Sequence, residues 1–159
     1  MHTDYSYRGE SLFYKHEVSH NLHKDAYSMH SHNMYELLYF VSGDATHVIE
    51  DRKYKLTRGD LVLVRPGRYH FLRIDSDREY ERYNLLFDAD ALGLLEAERV
   101  CERFEVVSLV SEPTTAALFP KLEYYRARLL ADDFRKAAIH LLFELFYDLS
   151  LLRPAEDRP

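Results

Sequence analysis

His30-Ser31-His32-Asn33-Met34-Tyr35-Glu36-Leu37-Leu38-Tyr39-Phe40-Val41-Ser42-Gly43 joins three metal-type side chains to a strongly strand-forming run. His30, His32 and Glu36 share even parity, so on one extended strand their side chains point to the same face. His70, further along the chain, supplies a third imidazole. A neighbouring strand carrying His70 would close a shell of three nitrogens and one carboxylate, a donor set suited to Zn²⁺, Ni²⁺, Mn²⁺ or Fe²⁺. The same four side chains also fit a second state, in which they hydrogen-bond and pack in the mouth of a barrel. Either state requires the strands to curl back beside one another.

The flanking sequence supports such curling. Tyr35–Val41 reads as a strand ended by the Gly43-Asp44 turn, and Ala45–Glu50 alternates toward a second, closed by Asp51-Arg52-Lys53. Tyr54–Leu56, Leu61–Val64, Tyr69–Ile74 and Tyr80–Phe87 follow, separated by Arg58-Gly59-Asp60, Pro66-Gly67 and the charged Asp75–Arg78 loop. Short strands at near-regular intervals predict an antiparallel sandwich or barrel rather than a parallel α/β sheet. Residues 1–26 read as a polar, irregular arm with a short strand near Ser11–Tyr14. Beyond the strands, Ala89–Arg103 is expected as a helix capped by Asp88 or Asp90, and Val106–Val110 as one more strand. A helix from Pro113 to Arg128 is expected to break or kink at Pro120. Asp132 or Asp133 is expected to cap a last helix to Leu152, whose stripe holds Phe134, Ala138, Leu141, Leu142, Leu145, Leu149 and Leu152. The expected plan is an arm (1–26), a β-barrel (27–110), a helical segment of the same domain (111–152) and a linker or tail (153–159). The class is mainly β with C-terminal α.

The spacing His30-x-His32-x3-Glu36-x6-Gly43, with Gly59-x5-Arg65-Pro66-Gly67-x2-His70, resembles the two signature motifs of the cupin superfamily. The first motif matches at each defining position. In the second, Arg65 stands at the usual proline position and Ile74 at the closing asparagine. The longer stretch His30–Phe87, together with the trailing helices, resembles the amino-terminal cupin-type domain of AraC-type transcription regulators. That resemblance implies a jelly-roll barrel that senses a small effector, such as a sugar or related metabolite. It also implies helices that mediate homodimerisation, and DNA contact only through a carboxy-terminal helix-turn-helix module that this sequence does not contain. The competing reading is a free-standing metal-dependent cupin enzyme, a dioxygenase or isomerase.

Bulk composition narrows the partners. The chain has 159 residues, 47% hydrophobic and 30% charged, with a formal charge of −6. Acidic surface is poorly suited to phosphate backbones, so this chain alone is not expected to hold DNA. Cys101 is the single cysteine, which rules out an internal disulfide framework and agrees with a cytoplasmic setting. Neither a signal peptide nor a membrane-spanning run is visible.

Several further residues are candidates. Arg65, Arg68 and Arg73 near His70 could contact an anionic or hydroxylated ligand, with Tyr39 or Tyr83 helping at the barrel mouth. Leu141, Leu145, Phe146, Leu149 and Leu152 exceed what one small barrel need cover and are candidates for a seam with a second copy. His16-Glu17-Val18-Ser19-His20 has the spacing of a zinc-protease helix, yet it precedes a β-rich region and reads as a polar arm. No nucleophile elbow, phosphate loop or dinucleotide fingerprint occurs, and a lone helical Cys101 reads as packing.

Overall fold

The computed structural model describes residues 2–20 and 33–153. Strands lead: β1 (His2–Gly9), β2 (Leu12–Ser19), β3 (Tyr35–Ser42), β4 (Ala45–Ile49), β5 (Arg52–Lys55), β6 (Asp60–Val64), β7 (His70–Ile74) and β8 (Tyr80–Phe87). Then come α1 (Ala89–Leu92), α2 (Ala97–Arg103), β9 (Val106–Ser108), α3 (Pro113–Ala116), α4 (Leu118–Arg128) and α5 (Ala131–Leu151). One sheet has the order β1-β2-β8-β3-β6-β9 and the other β5-β4-β7, with antiparallel pairing throughout. This is a jelly-roll-like barrel with helices behind it.

Period-two alternation gives the large sheet two different faces. Leu38 and Phe40 of β3 turn inward with Val62 and Val64 of β6, and meet Ala45, Ile49, Leu72 and Ile74 of the small sheet. Leu37, Leu63 and Leu85 turn the other way, toward Phe134, Leu142, Leu145, Phe146 and Leu149 of α5. Each fully buried Leu or Phe contributes about 1.5–3 kcal/mol, so this outer layer anchors the helices firmly. Two glycines make the strand ends feasible. Gly43 has φ +132 with Tyr80 backbone 3.2 Å from where a Cβ would stand. Gly59 has φ +92, and a Cβ there would lie 2.7 Å from Val110. Any larger residue would be strained at both positions.

The arm differs from its sequence reading. β1 and β2 pair along their whole length, and β2 pairs with β8 from Leu12↔Phe87 to Ser19↔Tyr80. Leu12 and Tyr14 are buried beneath the helices, while Lys15, Glu17 and Ser19 face the barrel interior. Polar residues on both faces hid this hairpin from a hydrophobicity pattern.

Helix boundaries also shift for local reasons. Ala89–Arg103 is two short helices, because Gly93 takes a left-handed cap at φ 76. Asp88 caps α1, accepting from the Ala91 N–H at 3.1 Å. Pro120 lies in the first turn of α4, where a missing N–H costs no helical bond, so the break falls at Ala117 instead. Leu130 occupies the N-cap of α5, and Asp132 and Asp133 sit in its first turn, where the helix dipole favours negative charge. Among the described residues no helix is long and apolar enough to cross a membrane.

Candidate functional site

The two layers of strands leave a cavity of about 520 Å³ inside the barrel. On four strands its lining alternates by parity: Glu36 and Leu38 from β3, Tyr80, Arg82, Asn84 and Leu86 from β8, His47 from β4, His70 and Leu72 from β7. At the hairpin end consecutive residues contribute, Phe13, Tyr14, Lys15 and Glu17 from β2 and Ser6, Tyr7 and Arg8 from β1.

Glu36 and His70 form the centre of one side. Glu36 Oε2 lies 2.6 Å from His70 Nε2, and both side chains are almost wholly buried. The His70 Nδ1–H donates to the Arg68 carbonyl at 2.9 Å, which fixes the ring so that Nε2 addresses the carboxylate. Asn84 Nδ2 donates to Glu36 Oε1 at 3.3 Å. The His47 ring stacks alongside His70, with centroids 5.8 Å apart and planes 11° from parallel. Burial works against the charge on Glu36, but contact with His70 and the nearby His47 outweighs it and holds the carboxyl below its ordinary range. Burial likewise opposes the imidazolium at His70, yet Glu36 and the Arg68 carbonyl raise its pKa above the ordinary value. Buried together, the two groups each favour the other's charged form.

A cationic side faces it. Arg82 Nη2 meets Glu17 Oε1 at 2.6 Å, and Lys15 Nζ reaches the same oxygen at 3.4 Å. Arg82 also donates to Ser19 Oγ at 2.9 Å and lies over the Tyr80 ring at 4.2 Å. Arg8 lies over the Phe13 ring at 5.5 Å.

Of the four candidate metal ligands, the structure brings Glu36 and His70 together, while His30 and His32 lie outside the described residues. Among the described residues no group of three or more His, Cys, Asp or Glu is placed to hold a metal ion. The orientation of the described pair nevertheless fits half a shell: a ligating His characteristically gives its other N–H to a backbone carbonyl or carboxylate, as His70 does to Arg68.

The remaining candidates scatter. Arg65 and Arg68 line a separate cleft of about 410 Å³ with Tyr35, Asp88, Asp90 and Glu98. Arg73 turns outward and pairs with Asp75 at 2.6 Å. Tyr39 and Tyr83 have odd parity and lie on the outer face, where Tyr39 stacks on Phe119 at 4.4 Å. Burial pushes the Tyr83 hydroxyl up to about 12, with Glu81 adding to it. These tyrosines belong to the helix-facing layer rather than to the ligand cavity, correcting their expected role at the barrel mouth. Leu141, Leu145, Phe146 and Leu149 are filled positions of the protomer's own core, and Leu152 is half-buried against it. That placement moves any seam between copies away from them, since the outer face of the sheet takes up the whole stripe. The apolar surface that α5 presents to solvent is Tyr147 and Leu151.

The protease-like spacing falls on β2, as a strand rather than a helix. His16 Nε2 contacts Glu81 at 2.7 Å and His20 contacts Glu79 at 3.2 Å. Cys101 is buried, and burial pushes its thiol up to about 12, far from a reactive thiolate. The groups that the sequence reading missed are Arg8, Lys15, Glu17, His47, Arg82 and Asn84. For Arg82 and Asn84 the signal was parity on β8, where the two polar residues alternate with the apolar Tyr83 and Leu85. For Arg8, Lys15 and Glu17 it was hidden with the hairpin.

A mostly antiparallel barrel with a Glu–His pair from its two sheets, polar lining and helices behind defines a cupin-type ligand-binding domain. Residues 18–122 match the model of the AraC-like ligand binding domain, and the chain belongs to that family. A relative, the HTH-type transcriptional activator RhaR of Salmonella arizonae, is 38% identical over 47 residues, 30% of this chain and 17% of that protein. The RhaR of an Enterobacter species is 31% identical over 71 residues, 45% of this chain and 24% of that protein. Each match thus spans under a quarter of the regulator's length. Among solved structures, a cupin superfamily protein from Desulfitobacterium hafniense aligns at 11% identity and TM-score 0.47, over 55% of this chain and 77% of the other.

Proposed function

We propose that this domain senses a small polar metabolite bound reversibly inside the barrel, and passes the bound state to a DNA-binding module of an AraC-type regulator. One observation carries the reading: a barrel of the AraC-like ligand binding family encloses a cavity lined by Glu36, His47, His70, Asn84, Lys15 and Arg82. Polar groups converging on one cavity fix the orientation of a ligand and reject poorly matched ones. The hairpin suggests a route for the signal. On β1, Ser6, Tyr7 and Arg8 line the cavity, and Tyr7 also packs on Phe134 of α5 at 5.1 Å. Tyr7 therefore touches both the cavity and the last helix, so occupancy can bias how the helices sit. Paired readers on paired half-sites call for a dimer, and Tyr147 with Leu151 on α5 is the face we assign to it.

Residues Glu36 and His70, with His30 and His32, would hold a divalent metal if one is resident. It would supply a Lewis-acidic anchor for a ligand oxygen. The enzyme reading rests on that same half-shell. Metal content of untagged protein, compared with a Glu36→Gln/His70→Gln variant, decides occupancy.

The sensing reading is tested by a thermal-shift panel of neutral sugars, sugar acids and amino acids on wild type and Leu86→Trp, which fills the cavity. A ligand at 100 times its Kd stabilises by about 2.7 kcal/mol, and a domain of this size gains about 2–4 °C in Tm per kcal/mol. Shifts seen in wild type and lost in Leu86→Trp support the cavity as the effector site. Shifts that persist in Leu86→Trp, or none across the panel, contradict it.

A further inference from the structure

β1 is the edge strand of the large sheet. It pairs with β2 along its whole length, and among the described residues no strand pairs with its other side. Such an edge presents a row of N–H and C=O groups to any further strand, and proteins commonly blunt it with proline, lysine or a bulge. β1 has neither proline nor lysine, and its pairing with β2 runs without a register shift.

The hairpin turn fixes which backbone groups face out. Only Glu10 and Ser11 separate Gly9 from Leu12, so Gly9↔Leu12 is a pair that exchanges hydrogen bonds. Alternation gives the same role to Tyr7↔Tyr14 and Tyr5↔His16. Arg8 and Ser6, with positions 4 and 2, therefore turn their N–H and C=O groups away from β2. The side chains of Ser6 and Arg8 are exposed and line the barrel cavity.

The sequence of β1 is complementary to itself about Ser6. Two such strands can bond antiparallel only with outward-turned positions opposite one another, so even numbers face even numbers. With Ser6 opposite itself, Arg8 faces the aspartate at position 4, and Tyr5 faces Tyr7. Centring the pair on Tyr7 instead sets the position-4 aspartate against Glu10, and centring it on Arg8 or on position 4 sets a charge against its own kind. Opposite charges and aromatic rings directly across a strand pair favour it, and like charges oppose it.

We infer that β1 is a contact with a second copy of this chain, formed two-fold about Ser6 so that the two large sheets run on as one. An isologous contact of this kind uses one surface twice and closes on itself. Its axis passes through β1, so the contact is additional to the α5 face of Tyr147 and Leu151. One strand without a large apolar patch makes a weak contact, with a Kd on the order of 0.1–1 mM. Copies held side by side on one DNA reach local concentrations of that order. Because Ser6 and Arg8 belong to the cavity wall, the second copy's β1 extends that wall.

Disulfide trapping tests the register. Cys101, the single cysteine, is buried, so a thiol introduced on β1 is the one that meets the oxidant. Across a hydrogen-bonded antiparallel pair the Cα atoms stand about 5.5 Å apart, within disulfide range. The two position-8 Cα atoms lie four residues apart along the strands, about 14 Å. Ser6→Cys is therefore expected to form a covalent dimer under mild oxidant about ten-fold or more faster than Arg8→Cys. In the Ser6→Cys background, Arg8→Asp sets two acids face to face and is expected to slow trapping, and Asp4→Arg/Arg8→Asp is expected to restore it. The thermal transition of each variant checks folding. Equal rates for Ser6→Cys and Arg8→Cys would mark chance collision and overturn the contact, and so would an absence of trapping. A Ser6→Cys rate indifferent to both charge changes overturns the register.

Discussion

The two faces of the large sheet are built from the same strands, yet only the inner one mixes polar groups into its apolar packing. Outward, Leu37, Tyr39, Leu63, Leu85 and Phe87 pack on α4 and α5, with stacked rings such as Tyr39 on Phe119. Inward, beside the apolar Leu38, Phe40, Val62 and Val64, Glu36 and Arg82 are buried and Asn84 half-buried, held in ion pairs and hydrogen bonds around a cavity. Burying such groups costs free energy unless each finds a partner, and replacing a buried ion pair with well-packed apolar residues is often neutral or stabilising. The outer face therefore reads as the more stabilising layer, and the polar positions of the inner face give up stability for recognition.

The largest test of this contrast lies on the outer face. Leu145→Glu/Leu149→Glu places two charges among residues that are 2% and 0% exposed. It is expected to prevent folding, seen as loss of a cooperative thermal transition, rather than to yield a folded monomer. Phe146→Ala is milder, and about 3–5 kcal/mol of stability is expected to go in urea denaturation. If either variant stays fully stable, α5 is not part of the core.

On the inner face the expected losses are smaller and depend on pH. Glu36 is held below its ordinary 4.5, so its contribution is present above that value and fades as pH falls through the lower folded pKa. His70 is raised above 6.5, so its contribution is complete below that value and fades as pH rises through the higher folded pKa. The stability gap between wild type and Glu36→Gln in chelator-treated protein should therefore be widest between about pH 4.5 and 6.5 and on the order of 1–3 kcal/mol. A gap that keeps growing above pH 8 would show that the pair is not ionised as drawn. Tyr147→Ser/Leu151→Ser should cost least, within about 0.5 kcal/mol, because both side chains are exposed. Sedimentation analysis of that variant should nevertheless show dissociation where wild type is dimeric. A variant still dimeric moves the interface off this face.

Much of the fold was legible because short strand-forming runs recur between turn signals, and because Gly43 and Gly59 mark turns that no larger residue fills without strain. The acid–imidazole half of the site was legible from its residue types and spacing. Glu36 is the one charged residue of β3, and His70 opens an inward-facing strand of the small sheet. The cationic half was not legible. Lys15 and Glu17 face inward from a strand whose outward face also carries His16, so no hydrophobic alternation betrayed it. Arg65, Arg68 and Arg73 looked nearer to His70 in sequence than in space. A turn carries the first two to another cleft, and odd parity sends Arg73 outward. The leucines of α5 were read as a surplus because the width of the sheet's outer face, six strands across, cannot be counted from a helix stripe.

The central claim is that a ligand binds between the faces of the barrel, and NMR mapping of the isotope-labelled domain tests it most directly. With a ligand from the thermal-shift panel at saturation, the Asn84 side-chain amide and the ring signals of His47 and His70 should shift most. The outer-face rings of Tyr39 and Phe119 should move less. Shifts centred on Arg65 and Arg68 in the second cleft, or on Tyr147 and Leu151 of α5, with Asn84, His47 and His70 unmoved, would contradict the account.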